Sequence, residues 1–253
     1  MQTNKETTQH GNIMRQIFYI LYQYLIALPI FIVLTIFTAL TTIAAIPWKN
    51  AEWLHKIQQF WARSFCRLLF LPITVEGLEN IEPHKSYVFV SNHQSLVDVF
   101  VIYGWLPVIF KWIMKNELRK VPLVGAACKA AGHIYIDRSN KVASMRSIEE
   151  AERIVKNGVC IVIFPEGTRT RTGEVGRFKR GAFSIATDLH LPIIPISLSG
   201  CYEVMPRTRF YARHHATKMT VGKPIDTDSY TEEDRNILIE YTRQEVLKGM
   251  ETN

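Results

Sequence analysis

The chain lacks the signatures of several large functional classes. Its four cysteines, Cys66, Cys128, Cys160 and Cys201, form no Cys-x-x-Cys pair, so neither a zinc site nor a disulfide framework is indicated, and reduced thiols in a cytosolic compartment are expected. His214 and His215 have no His-x-x-x-His partner spacing, and no metal is assigned. There is no Gly-x-Ser-x-Gly elbow of the kind that carries a serine nucleophile. No long Pro, Ser or Gly tract marks a disordered linker, and no internal repeat is visible. The basic residues are scattered and do not form a stripe with interleaved aromatics, which argues against nucleic acid. The net charge of +7 still calls for an anionic partner, either a membrane surface or a phosphorylated substrate.

Charge is also missing from one long segment. Between Gln16 and Trp48 there is no ionisable Asp, Glu, Lys or Arg. As one helix the apolar run Ile17 to Pro47 would measure ~46 Å, more than the ~30 Å of a hydrocarbon core. The run is too long for a signal peptide, and its end, Ile46-Pro47-Trp48-Lys49, does not suit a signal peptidase. This segment is expected to enter the membrane. Pro29 leaves open whether it spans or folds back as a re-entrant pair. Behind it, Trp53, Leu54, Ile57, Trp61, Phe65 and Leu68 recur at helical spacing, with Lys56, Arg63 and Arg67 on another face. That pattern fits an interfacial helix, a helix docked on the soluble domain, or both.

From residue 72 the pattern changes to short apolar runs between turns. Tyr87–Ser91, Val108–Met114, Val159–Phe164, Ile193–Leu198 and Met219–Val221 read as strands. Val142–Asn157, ending at Gly158, and Lys179–Leu189 read as helices. Thr231-Glu-Glu-Asp234 looks like a capping box opening a last helix that runs close to Gly249. The division expected is 1–71, an anchoring helical region, and 72–253, a single α/β domain with a largely buried central sheet flanked by helices.

The chemistry concentrates at strand ends. Directly after one apolar strand stands Ser91-Asn-His-Gln-Ser-Leu-Val-Asp98. An imidazole exchanges protons near neutral pH, and Asp98 is positioned to hold its Nδ1 proton so that Nε2 of His93 accepts one from a hydroxyl. A helix-capping aspartate beside a satisfied histidine is the alternative reading of the same residues. After another strand comes Phe164-Pro-Glu-Gly-Thr-Arg169, with Gly132-His-Ile-Tyr-Ile-Asp-Arg138 and Leu191-Pro-Ile-Ile-Pro195 in order around it.

These four ordered blocks resemble those of the glycerophospholipid acyltransferase superfamily and, within it, of the bacterial 1-acyl-sn-glycerol-3-phosphate acyltransferases. The resemblance covers roughly residues 72 to 225 and extends to Lys115-Asn-Glu-Leu118 and Phe178-Lys-Arg-Gly181. It implies that His93 is the general base and Asp98 its orienting partner. A thioester is already activated, so a deprotonated hydroxyl attacks it without an acyl-enzyme. It further implies that Lys115, Arg138, Glu166, Gly167, Thr168, Arg169 and Lys179 line the acceptor site. Arg169 and Lys115 are the first choices for phosphate, and Glu166 for structuring the loop or holding glycerol. For Arg169 an ion pair with Glu166 or Glu174 competes with phosphate binding. His133 is expected to be only a neighbour of the site.

The implied reaction moves a fatty acyl group from acyl-CoA or acyl carrier protein onto the sn-2 hydroxyl of a lysophosphatidate. It needs no cofactor beyond that thioester, and the expected setting is the cytoplasmic face of an inner membrane. Glycerol 3-phosphate or a lyso-aminolipid as acceptor, or a membrane lipid-binding protein without turnover, are the alternatives.

Overall fold

The computed structural model describes residues 13–48, 50–136, 149, 151–155 and 158–251. Seven strands form one sheet: β1 (Ile73–Glu76), β2 (Val88–Ser91), β3 (Phe110–Lys115), β4 (Ile134–Ile136), β5 (Cys160–Ile163), β6 (Ile193–Ser199) and β7 (Thr217–Val221). Their order is β1-β7-β6-β2-β5-β3-β4, and all neighbours are parallel except β6 and β7. Buried on both faces, the central strands carry continuous β-branched and aromatic runs, as a covered parallel sheet requires.

Alternation along each strand sorts the side chains into two cores. Phe89, Trp112, Cys160, Val162, Ile194, Ile196 and Leu198 face one side. There α2 (Ala51–Leu68) and α3 (Val97–Trp105) pack over them. Val88, Val90, Ile161, Ile163 and Ile193 face the other side, covered by α5 (Gly181–Asp188) and, beyond the one-turn α6 (Cys201–Val204), by α7 (Arg235–Glu251); the short α4 (Val124–Ala130) lies on the way to β4. Two strands escaped the sequence reading. The edge strand β1 alternates half-buried with exposed residues, and β4 has three residues; neither makes an apolar run long enough to stand out.

The apolar N-terminal segment is one continuous helix, α1 (Ile13–Ala44), and not a re-entrant pair. Pro29 is accommodated because the turn before it, Gln23–Ala27, is a π-helix in which Leu28 N donates to Gln23 O. The wider turn absorbs the missing donor and ring clash that would otherwise kink the helix. α1 leans on the rest of the protein: Gln23 is buried and exchanges two hydrogen bonds with the main chain of Ala212, at 2.9 and 2.7 Å. Tyr19 and Tyr22 donate to the carbonyls of Leu69 and Leu68. Phe31 packs edge-on against Phe65 and Phe100, and Trp61 Nε1 reaches Thr35 Oγ1. The compositional boundary at residue 71 is therefore not a break in packing, since Ala62, Cys66, Leu69 and Leu71 belong to the same core as the sheet.

The Asn50 side chain caps α2 by accepting from Trp53 N. Docking and exposure coexist on that helix: His55, Ala62 and Cys66 are buried, whereas Trp53 and Phe60 are exposed. Most of the expected helix at 142–157 lies outside the described residues, but 151–154 is helical and the chain turns at Gly158 with φ 82°. The Thr231/Asp234 pair bonds to itself one turn ahead of α7, with Thr231 Oγ1 donating to Asp234 Oδ2 at 2.7 Å. Gly249 does not stop that helix, which continues to Glu251; a Cβ there would strike Ser197 on β6, so the glycine permits close approach of helix to sheet.

Candidate active site

In parallel sheets the C-terminal strand ends share one edge, the usual place for a site. β2 pairs with β5 so that Val90 lies opposite Ile163; three residues further on, His93 therefore meets Glu166. β3 pairs with β5 on the other side, Trp112 opposite Val162, which carries Lys115 level with Pro165. β4 follows, with Lys115 opposite Ile136. Sequence blocks separated by tens of residues thus converge on one edge. Asn92 fastens it by bonding both main-chain groups of Leu198 on β6, each at 2.9 Å.

His93 Nδ1 lies 2.8 Å from Asp98 Oδ2. The same oxygen accepts from Gln94 N at 2.6 Å and Ser95 N at 2.8 Å. Asp98 is fully buried in the first turn of α3, where its Oδ2 gathers these two N–H donors and the imidazole. An ionised carboxylate only accepts, so His93 donates through Nδ1 and leaves Nε2 unprotonated as an acceptor. Asp98 is thus both the helix-start residue of the alternative reading and the orienter of the histidine. Phe164 stacks on the imidazole with centroids 3.9 Å apart and planes 8° apart, and Trp112 backs Phe164 at 5.3 Å. The ring is held in plane by one face and in rotation by Asp98.

Glu166 clamps the histidine's backbone. Oε1 accepts from His93 N at 2.7 Å and Oε2 from Gly176 N at 2.8 Å, while Thr170 N donates to His93 O. Burial raises the carboxyl's pKa, and the two amide donors oppose the rise. Each oxygen accepts from a backbone N–H, so Glu166 structures the loop, and each oxygen keeps a further acceptor site for a ligand hydroxyl. Gly167 turns the loop with φ 72°, a conformation that favours glycine.

The cations stand differently. Arg169 is half-buried and makes no ion pair among the described residues, with Glu166 engaged elsewhere. Lys115, at the tip of β3, and Lys179 are exposed, and Lys179 N ties to Pro165 O. Arg138 lies outside the described residues. Sequence reasoning missed Arg207, whose Nη1 donates to Thr168 Oγ1 at 3.1 Å; a sequence separation of 39 residues hides that pairing from local pattern. It also missed the stacking role of Phe164 and the buried Cys201, whose thiol faces Asp98 and is held protonated mainly by burial. His133 is buried in a polar chain in which Trp112 N donates to its Nδ1 and Tyr103, 3.3 Å from its Nε2, donates to Gln58.

Beside this edge, between α1 and the domain, lies a cavity of about 390 Å³. Ala27, Leu28, Phe31, Phe65 and Phe100 make its walls apolar, and Arg169 and Arg207 also line it. Leu96, in the segment between His93 and Asp98, lines it as well. An imidazole oriented by Asp98, a guanidinium without an ion pair among the described residues and a nearby apolar space suit a molecule with a hydroxyl, an anionic group and a hydrocarbon tail.

Residues 72–199 match the family model described as Acyltransferase. A 1-acyl-sn-glycerol-3-phosphate acyltransferase from Cocos nucifera is 38% identical over 170 residues, 67% of this chain and 54% of that protein. The human 1-acyl-sn-glycerol-3-phosphate acyltransferase alpha is 31% identical over 206 residues, covering 81% of this chain and 72% of that one. The crystal structure of the 1-acyl-sn-glycerophosphate (LPA) acyltransferase PlsC from Thermotoga maritima superposes with a TM-score of 0.77 at 27% identity, over 93% of this chain and 95% of the other. The chain spans a little over half the length of the plant relatives it matches.

Proposed function

Because this chain belongs to the acyltransferase family, we propose that it moves a fatty acyl group from acyl-CoA or acyl carrier protein to the sn-2 hydroxyl of 1-acyl-sn-glycerol 3-phosphate, forming phosphatidic acid for phospholipid synthesis. The observation that supports this reading is the His93–Asp98 contact of 2.8 Å, made through Nδ1 and not Nε2, on the same loop cluster as Arg169, which makes no ion pair among the described residues. In the proposed step Nε2 takes the proton of the sn-2 hydroxyl as its oxygen bonds to the thioester carbonyl. The tetrahedral oxyanion then collapses, the C–S bond breaks, and the thiolate takes the proton back from the imidazolium. Asp98 stays ionised and steadies the transient charge. The balance is complete with one thioester, one lysolipid, one thiol and one diacyl product, and calls for no cofactor.

Arg169 and Lys115 serve the acceptor phosphate in this reading, with Thr168, Gly167 and Lys179 shaping the loop around it and Arg138 assigned to the acceptor from the sequence resemblance alone. The cavity under α1 takes hydrocarbon. The protein works at the cytoplasmic face of an inner membrane, reached by a soluble thioester from one side and a bilayer lysolipid from the other. α1 is long and apolar enough to cross a membrane, but it leans on the domain from Tyr19 to Thr35. A bilayer enclosing the whole helix would also enclose Arg207 and Arg209 beneath it, at a cost in desolvated charge. We therefore read α1 as lying in the membrane face.

The test is mass spectrometry of lipids made by purified protein from mixed acyl-CoA and acyl carrier protein donors with lysophosphatidate, glycerol 3-phosphate, monoacylglycerol and lyso-aminolipid. Phosphatidic acid is the expected product. Turnover of another acceptor in its place, or no thioester consumption at all, would discard this reading.

A further inference from the structure

The segment 205–216, Met-Pro-Arg-Thr-Arg-Phe-Tyr-Ala-Arg-His-His-Ala, contains three arginines and no acidic residue. At its tip Phe210 is 87% exposed, more than any other large apolar side chain among the described residues. A single exposed phenylalanine is unremarkable in itself. This one, however, is held in place: Arg209 braces the loop from within through the carbonyls of Glu203, Val204 and Tyr211. From α1, Tyr24 donates to the carbonyl of Phe210 and Gln23 grips Ala212.

Those contacts set Phe210 level with the exposed apolar face of α1, where Leu21, Tyr24, Leu25 and Leu28 stand out to solvent. Helix and loop present one continuous apolar surface, edged by the exposed Arg207 and Arg213. Phe210, Tyr24 and Leu28 also line the cavity that reaches Arg169 and Leu96. The apolar surface and the interior apolar space therefore meet at this loop.

We propose that the loop 206–213 is a membrane portal: Phe210 inserts into an anionic bilayer beside α1, and a single-chain phospholipid enters the cavity past it, its phosphate handed from Arg207 to Arg169. The occupant follows from the chemistry of the loop. An exposed aromatic ring with flanking guanidinium groups and no carboxylate matches the interface of a bilayer with anionic headgroups, and the surface continues the one α1 presents. The inference rests on the lipid acceptor of the proposed function, so its test has one arm that needs no turnover.

Full-length protein is reconstituted in vesicles of phosphatidylethanolamine and phosphatidylglycerol, with a fluorophore attached at Phe210→Cys or, as reference, at Lys85→Cys. Lys85 precedes β2 and lies at the opposite edge of the sheet. Nitroxide groups on shallow acyl-chain positions should quench the label at 210 and spare the label at 85. Equal quenching at the two sites overturns the portal whether or not the enzyme is active. In the second arm, Phe210→Ser is compared on an acceptor embedded in the vesicles and on a short-chain acceptor in solution. Loss of the buried ring should reduce the first rate about tenfold more than the second. The same loss on both acceptors would show that Phe210 acts on the site and not on entry, and the portal would fall.

Discussion

At the scale of single residues, the proposed reaction turns on the orientation of one imidazole, held by Asp98 and Phe164. His93→Ala should lower kcat/KM by ~10² to 10⁴ with little change in the thermal midpoint, because the ring is a partner of Asp98 and Phe164 but its clamp to Glu166 runs through the backbone. Asp98→Asn should cost activity through the wrong tautomer and stability as well, since Oδ2 also holds Gln94 N and Ser95 N; near-wild-type turnover in either variant would remove the dyad from the mechanism. For Arg169→Ala the expected loss is ~2 to 4 kcal/mol in acceptor kcat/KM, and Arg169→Lys should restore it only in part, because an ammonium keeps charge but not the bidentate fork. The ratio of rates on lysophosphatidate and monoacylglycerol should collapse with Arg169. An unchanged ratio would mean that this guanidinium does not read phosphate. The His93–Asp98 contact was legible because a histidine and an aspartate five residues apart after an apolar strand can meet, and Arg169 was singled out by the resemblance of its block. Arg207 was not, because nothing local marks it.

The elements explain which pieces can be removed. α2 supplies Ala62 and Cys66 to the main core at 0% and 1% exposure, so deletion of residues 1–70 should yield an insoluble chain and not a released domain. Deletion of 1–48 should leave the sheet folded by circular dichroism but uncover Phe65, Phe100 and the Ala212 main chain. Retained solubility after the longer cut would contradict the shared core. The layer where α2, α3 and β3 meet also sets an acid limit. Burial, with the Lys111 ammonium second, lowers His133 to about 3 and His55 to about 4, against ~6.5 in an unfolded chain. Above pH 6.5 both states are neutral and stability is complete. Below it the unfolded chain takes protons that the fold refuses, so stability falls by up to ~1.4 kcal/mol per pH unit per histidine until the folded values are reached. Thermal midpoints measured from pH 7 to pH 4.5 should show this decline, and His133→Gln should flatten the slope by about one proton.

For the whole molecule, charge and apolar surface act together. With a net charge of +7 and the uncharged face of α1, the protein should bind vesicles containing phosphatidylglycerol more tightly than neutral ones. Flotation at rising ionic strength should weaken that preference, by screening, without releasing the protein, because burial of α1 does not depend on salt. Release by salt alone would assign binding to charge and not to the helix. The residues by themselves determined that a run without charge extends from Gln16 to Trp48, that strands and helices alternate after residue 72, and that polar blocks holding His93, Asp98 and Phe164–Arg169 follow apolar strands, since periodicity and side-chain type are local properties. Only the tertiary structure decided that α1 lies against the domain, that Glu166 serves His93's backbone, that Phe164 backs the imidazole, and that Arg207 and Phe210 meet the cavity. Each of these depends on contacts between residues far apart in the chain, set by strand register and by which faces must be buried, and no window of sequence contains both partners.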